Sequence, residues 1–170
     1  MTDEIQPAAT NSADTQTPVV NPQAVYVKDA SFEAPNGPFV QGANGNPTVN
    51  LNLGTRTTAL APDVHEVVLQ VNLEAKSGDK TVWLLELQQA GAFLVRNVSA
   101  TDLGQILSIV APNYLLTFAR STVADLVVRG GFPPFLLPLV TFEALHARIA
   151  QQQAAAAAAA TPAGGTPSVN

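Results

Sequence analysis

The sharpest hydrophobic pattern in the chain lies at 64–75. His65, Val67, Leu69, Val71 and Leu73 alternate there with Glu66, Val68, Gln70, Asn72 and Glu74. Period-two alternation predicts a strand with one buried face. Ser77-Gly78-Asp79 supplies turn chemistry. A return strand follows at 80–91, with Trp83, Leu85 and Leu87 in one parity and Val82, Leu84, Glu86 and Gln88 in the other. The pair predicts a hairpin. Upstream, 25–34 sets Tyr26, Ala30 and Phe32 against Asp29, Ser31 and Glu33, and Pro35-Asn36-Gly37-Pro38 ends it. Residues 48–56 set Val49, Leu51 and Leu53 against Asn50 and Asn52. A longer connection, rich in Gly and Asn, joins these first two of four strands.

From 99 onward the period changes to that of a helix. Ser99-Ala100-Thr101-Asp102 fits a capping box, and Leu103, Ile106, Leu107 and Val110 follow at helical spacing. Pro112-Asn113 predicts an interruption. A second helix carries Leu115, Leu116, Ala119, Val123, Leu126 and Val127 along one stripe, and Gly130-Gly131 predicts its end. Three prolines in 132–138 forbid a regular element there. A last helix is predicted from about Thr141, packed through Phe142, Leu145 and Ile149. Strands first and helices afterwards predict an α+β domain, a four-stranded antiparallel sheet with helices on one face.

Composition sets the limits of this domain. Residues 1–24 lack periodicity and basic side chains, and 154–170 open with seven alanines followed by a stretch rich in Gly, Pro and Thr. Both read as tails, the second disordered or a frayed helix. The packed domain is expected over 25–153. Of the 170 residues, 46% are hydrophobic and only 12% charged. So little charge implies that the chain buries surface against copies of itself or keeps apolar surface for a partner. The opening Met1-Thr2-Asp3-Glu4 is no signal peptide, and no apolar run is long enough to span a bilayer, so a cytoplasmic protein is expected.

The net charge of −5 argues against nucleic acid as a partner. It directs attention to the polar parities of the strands. Laid side by side, these hold Asp29 and Glu33, then Asn50 and Asn52, then Glu66 and Glu74, then Glu86, with Arg56 and Lys76 at strand ends. Five carboxylates thus fall on one sheet face. That face is either an ordinary wet surface or a docking platform for a basic partner. Leu84 and Val68 within it are what a binding surface shows. Phe132, Phe135, Leu136, Leu137 and Leu139 add an apolar surplus beside the helices, which either caps the core or walls a groove for extended apolar segments.

Catalytic chemistry is not visible. There is no cysteine, and His65 and His146 stand alone. The first reads as a packed core histidine, the second as a surface one. Gly42-Ala43-Asn44-Gly45-Asn46 lacks the Lys-Ser/Thr of a phosphate-binding loop. No metal, no cofactor and no enzyme activity are expected.

Six further segments stand in order: Tyr26-Val27-Lys28-Asp29-Ala30-Ser31-Phe32-Glu33-Ala34-Pro35-Asn36, Glu66-Val67-Val68-Leu69, Leu85-Glu86-Leu87-Gln88-Gln89-Ala90-Gly91, Ala111-Pro112-Asn113, Phe118-Ala119-Arg120 and Val128-Arg129-Gly130-Gly131-Phe132-Pro133. Together they resemble the SecB family of export chaperones. The resemblance runs from about 25 to 153. It implies a homotetramer, built as a dimer of dimers, that holds unfolded precursor chains without ATP and passes them to the SecA motor. It implies that SecA docks through a basic, zinc-bearing carboxy-terminal segment on Asp29, Glu33, Leu84 and Glu86. Clients are expected on apolar surface near Phe132, Phe135 and Leu136. Leu85, Leu87 and Gln89 are implied to bear on the integrity of the oligomer. An oligomeric scaffold without client activity is the alternative.

Overall fold

The computed structural model describes residues 17–39 and 47–144, together with Ala147 and Gln151. Residues 1–16 of the expected amino-terminal tail, the whole expected tail 154–170, the 42–46 loop, Leu145, His146 and Ile149 lie outside the described residues.

Four antiparallel strands form one sheet: β1 (Val19–Glu33), β2 (Thr48–Ala61), β3 (Val64–Ser77) and β4 (Lys80–Arg96), in the spatial order β1-β4-β3-β2. The first two strands in sequence are therefore its two edges. β3 and β4 form the expected hairpin, with Ser77 opposite Lys80 and Gly78 in the turn at a φ of 58°. β1 begins at Val19, six residues inside what composition marks as tail. Pro22 is tolerated because β1 is an edge strand and the register shifts between Pro22 and Ala24.

A second register shift, between Val27 and Asp29, inserts Lys28 into β1. It corrects the expected parity of one residue. Ala30 and Phe32 pair with Leu87 and Leu85 on the helix side, but Tyr26 pairs with Ala90 on the other side. A one-residue insertion flips every side chain beyond it.

Helix α1 (Ala100–Gln105) is capped by Ser99, whose Oγ accepts from the Asp102 amide at 3.1 Å and donates to Asp102 Oδ2 at 2.7 Å. A π-helical turn (Ile106–Val110) joins it to α2 (Ala111–Arg129). The expected break at Pro112 does not occur. The preceding turn is widened, with Ala111 N–H bonded to Ile106 O, and Pro112 falls in the first turn of α2, where a missing N–H costs little. α2 ends as predicted: Gly131 N–H bonds Val128 O, Phe132 N–H bonds Val127 O, and Gly131 has a φ of 85°.

The core lies between α2 and the odd-numbered side chains of β3 and β4. Leu115, Ala119, Val123 and Val127 pack on Val67, Leu69, Val71, Leu85 and Leu87, all buried. Each such side chain contributes about 1.5–3 kcal/mol by leaving water. His65 shares this side, between Ala59 and Phe93 in register, but is only half-buried rather than part of the packed core. Gly130 sits so close to Phe32 that a Cβ there would lie 2.2 Å from the ring. The chain then returns toward the sheet, and Phe142 is buried. Asn113 of α2 holds that turn: its Oδ1 accepts from the Phe142 amide at 3.2 Å and its Nδ2 donates to Glu143 at 3.0 Å.

Candidate functional site

The sheet's second face carries no helix among the described residues. Strand pairing places its residues in rows. One row runs Glu33, Leu84, Glu74, Asn50; the next Ser31, Glu86, Asn72, Asn52; the third Asp29, Gln88, Gln70, Gly54. The four docking residues expected from the sequence thus share one end of one face. A depression of about 530 Å³ lies there, lined among others by Glu33, Leu84, Glu86, Asn72 and Glu74. Leu84, in its lining, is half-exposed.

The other end of the face is different. Its next row runs Tyr26, Ala90, Val68, Arg56, followed by Ala24, Ala92, Glu66, Thr58. Ala90 and Ala92 on β4 are too small to block passage across the strand. Tyr26 and Lys28 of β1 therefore reach over β4 to Glu66 on β3. Lys28 Nζ lies 2.7 Å from Glu66 Oε2, and the Tyr26 hydroxyl donates to Oε1. Glu66 is only 7% exposed, and Val68 and Ala90 are buried beneath. Hydrogen bonds from Lys28 and Tyr26 hold the Glu66 carboxyl below its usual range, against burial that pushes it up. The same carboxylate raises the Tyr26 hydroxyl.

Five carboxylates do share this face, but not equally. Glu66 is neutralised by Lys28, and Glu74 pairs with Lys76 at 2.9 Å. Among the described residues no ion pair involves Asp29, Glu33 or Glu86. The negative field is concentrated at the depression. Val68, which the sequence offers as an apolar spot beside Leu84, is covered. Tyr26 and Lys28 were missed as its cover; the signal was the alanine pair at 90 and 92 opposite them.

The apolar surplus divides by residue. Phe132 packs on Phe32, with ring centroids 6.1 Å apart; Phe32 stacks on Trp83 at 6.0 Å, and Trp83 meets Phe135 edge-on at 5.9 Å. Phe132 and Phe135 are half-buried in this aromatic string, and Leu137 is buried, whereas Leu136 is 66% exposed and Leu139 86%. The loop both closes the core and shows apolar surface. Leu85, Leu87 and Gln89 are buried under α2 within the chain itself. Gln89 Nε2 donates to Tyr26 O at 2.9 Å.

Among the described residues no three His, Asp or Glu side chains are grouped to hold a metal, and no helix is long and apolar enough to cross a membrane.

The same architecture occurs in a solved SecB-like chaperone of Mycobacterium tuberculosis in complex with a peptide from an antitoxin. It has a TM-score of 0.62 and 16% identity, covering 72% of this chain and 91% of that one. Among curated proteins, the protein-export protein SecB of Nitrosococcus oceani is 47% identical over 133 residues, 77% of this chain and 81% of its own length. That of Pseudomonas fluorescens strain Pf0-1 is 38% identical over 169 residues, 99% of both chains. Residues 13–153 match the family described as preprotein translocase subunit SecB. With residues 13–153 matched by the family model and relatives 38–47% identical over most of its length, the chain belongs to the SecB family.

Proposed function

We propose that the chain is an ATP-independent export chaperone of the cytoplasm. It holds unfolded precursor polypeptides and delivers them to SecA, without catalysing a reaction. The observation that carries this reading is the separation of two surfaces. One sheet face ends in a concave, negatively charged patch around Leu84, while the apolar residues lie on the opposite side, beside the helices.

The basic carboxy-terminal segment of SecA docks on Asp29, Glu33, Leu84 and Glu86. Charge complementarity speeds encounter and fixes orientation, and Leu84 supplies the apolar contact. Clients bind near Phe132, Phe135 and Leu136. Apolar burial is non-directional, so one surface accepts many sequences. Weak segments add through effective concentration when several subunits are engaged.

A homotetramer, a dimer of dimers, suits the uncovered surface. Val20 and Val27 on β1, with Tyr114, Phe118 and Val128 on α2, are exposed apolar side chains, and Arg120 Nη1 is buried without a hydrogen-bond partner among the described residues. Leu85, Leu87 and Gln89 affect assembly indirectly, by seating α2. The test is suppression of aggregation of a denatured, slow-folding protein without nucleotide. Undiminished aggregation at excess chaperone would leave only a scaffold.

A further inference from the structure

Leu84 is bracketed on the sheet face. Glu33 of β1 and Glu74 of β3 flank it in the same row, and Glu86 follows two residues along β4. Cross-strand neighbours on one face lie about 5 Å apart, and i, i+2 neighbours about 7 Å. Three carboxylates therefore stand within reach of one lysine or arginine head whose methylene stem lies on the leucine. Two of them, Glu33 and Glu86, have no cation among the described residues. The third is occupied from within: Lys76 Nζ sits 2.9 Å from Glu74 Oε1.

We propose that Lys76 is a built-in competitor for the docking face, and that a basic partner segment displaces its ammonium from Glu74 to complete the three-carboxylate cradle around Leu84. The proposal rests on the docking reading above and extends the footprint from β1 and β4 to β3. The side chains of Lys76 and Glu74 are 41% and 34% exposed. An ion pair this wet is weak, so it exchanges readily and tempers affinity rather than blocking it. Asn50, Asn52 and Asn72 line the same depression on the β2–β3 side and offer neutral hydrogen-bonding groups to the backbone of the incoming segment.

The experiment is a titration of the zinc-loaded SecA carboxy-terminal peptide against the full chain and its variants at low salt. Lys76→Gln should bind about three-fold more tightly, a change of the size a freed surface carboxylate supplies. Lys80→Gln removes the same charge from the start of β4 and should leave affinity within experimental error. Glu74→Gln should weaken binding more in the Lys76→Gln background than alone. Equal effects of Lys76→Gln and Lys80→Gln, or no coupling between positions 74 and 76, overturn the proposal while leaving docking intact. Glu33→Gln with Glu86→Gln checks the docking reading itself: if that pair leaves affinity unchanged, the reading and the proposal fall together.

Discussion

Glu66 lies nearly buried on the sheet face opposite α2, bound by Lys28 from two strands away. Removing one partner from such a pair leaves a poorly solvated charge. Lys28→Met should cost about 2 kcal/mol in urea unfolding, and Glu66→Gln in the same chain should recover part of it.

The pair also sets an acid response. The folded Glu66 carboxyl titrates below its ordinary range, so in mild acid the unfolded chain binds more protons than the folded one. Its stabilisation is complete above the ordinary carboxylate pKa and is lost as pH falls through the depressed value. Stability curves between pH 7 and pH 3 should be flatter for Glu66→Gln than for the parent.

Gly130 permits the close approach of Phe32. Gly130→Ala should destabilise by about 1–3 kcal/mol through overpacking, since the backbone there, at φ −71°, accepts alanine. Phe32→Leu should relieve part of that strain. Thermal unfolding of the two single variants and the double variant checks the coupling.

Asn113 anchors the chain after the Pro-rich loop through Phe142 and Glu143. Asn113→Ala should cost about 1 kcal/mol and raise hydrogen exchange at 137–144 before any change at β3. Uniform loss of protection would place its role elsewhere.

Leu136 is exposed beside the aromatic string, whereas Phe135 is part of it. Leu136→Ser should reduce suppression of client aggregation with stability within about 0.5 kcal/mol of the parent. Phe135→Ala should lower both, because it strips Trp83.

Much of this fold is legible in the sequence, and the misses have physical causes. The alternation at Val67, Leu69, Val71 and Leu73 marks a strand because its two faces meet different solvents. The start of β1 does not, because Val19-Val20-Asn21-Pro22 lies on an edge exposed on both sides, and Lys28 then resets the parity. Pro112 signals a break unless the widened turn before it is known. Parity told which side Glu66 occupies but not that Tyr26 and Lys28 reach it across Ala90 and Ala92, a fact of strand order rather than of spacing. That Asp29, Glu33, Leu84 and Glu86 share one face was legible in the alternation of their strands; that they lie side by side follows from the pairing of β1 with β4.

The central claim is that delivery and holding use different faces. Titrating the SecA segment and an unfolded client separately against Asp29→Lys with Glu86→Lys tests it most directly. The account predicts that docking is abolished while client binding is retained. Unchanged affinity for the SecA segment, or parallel loss of both activities in a folded variant, contradicts it.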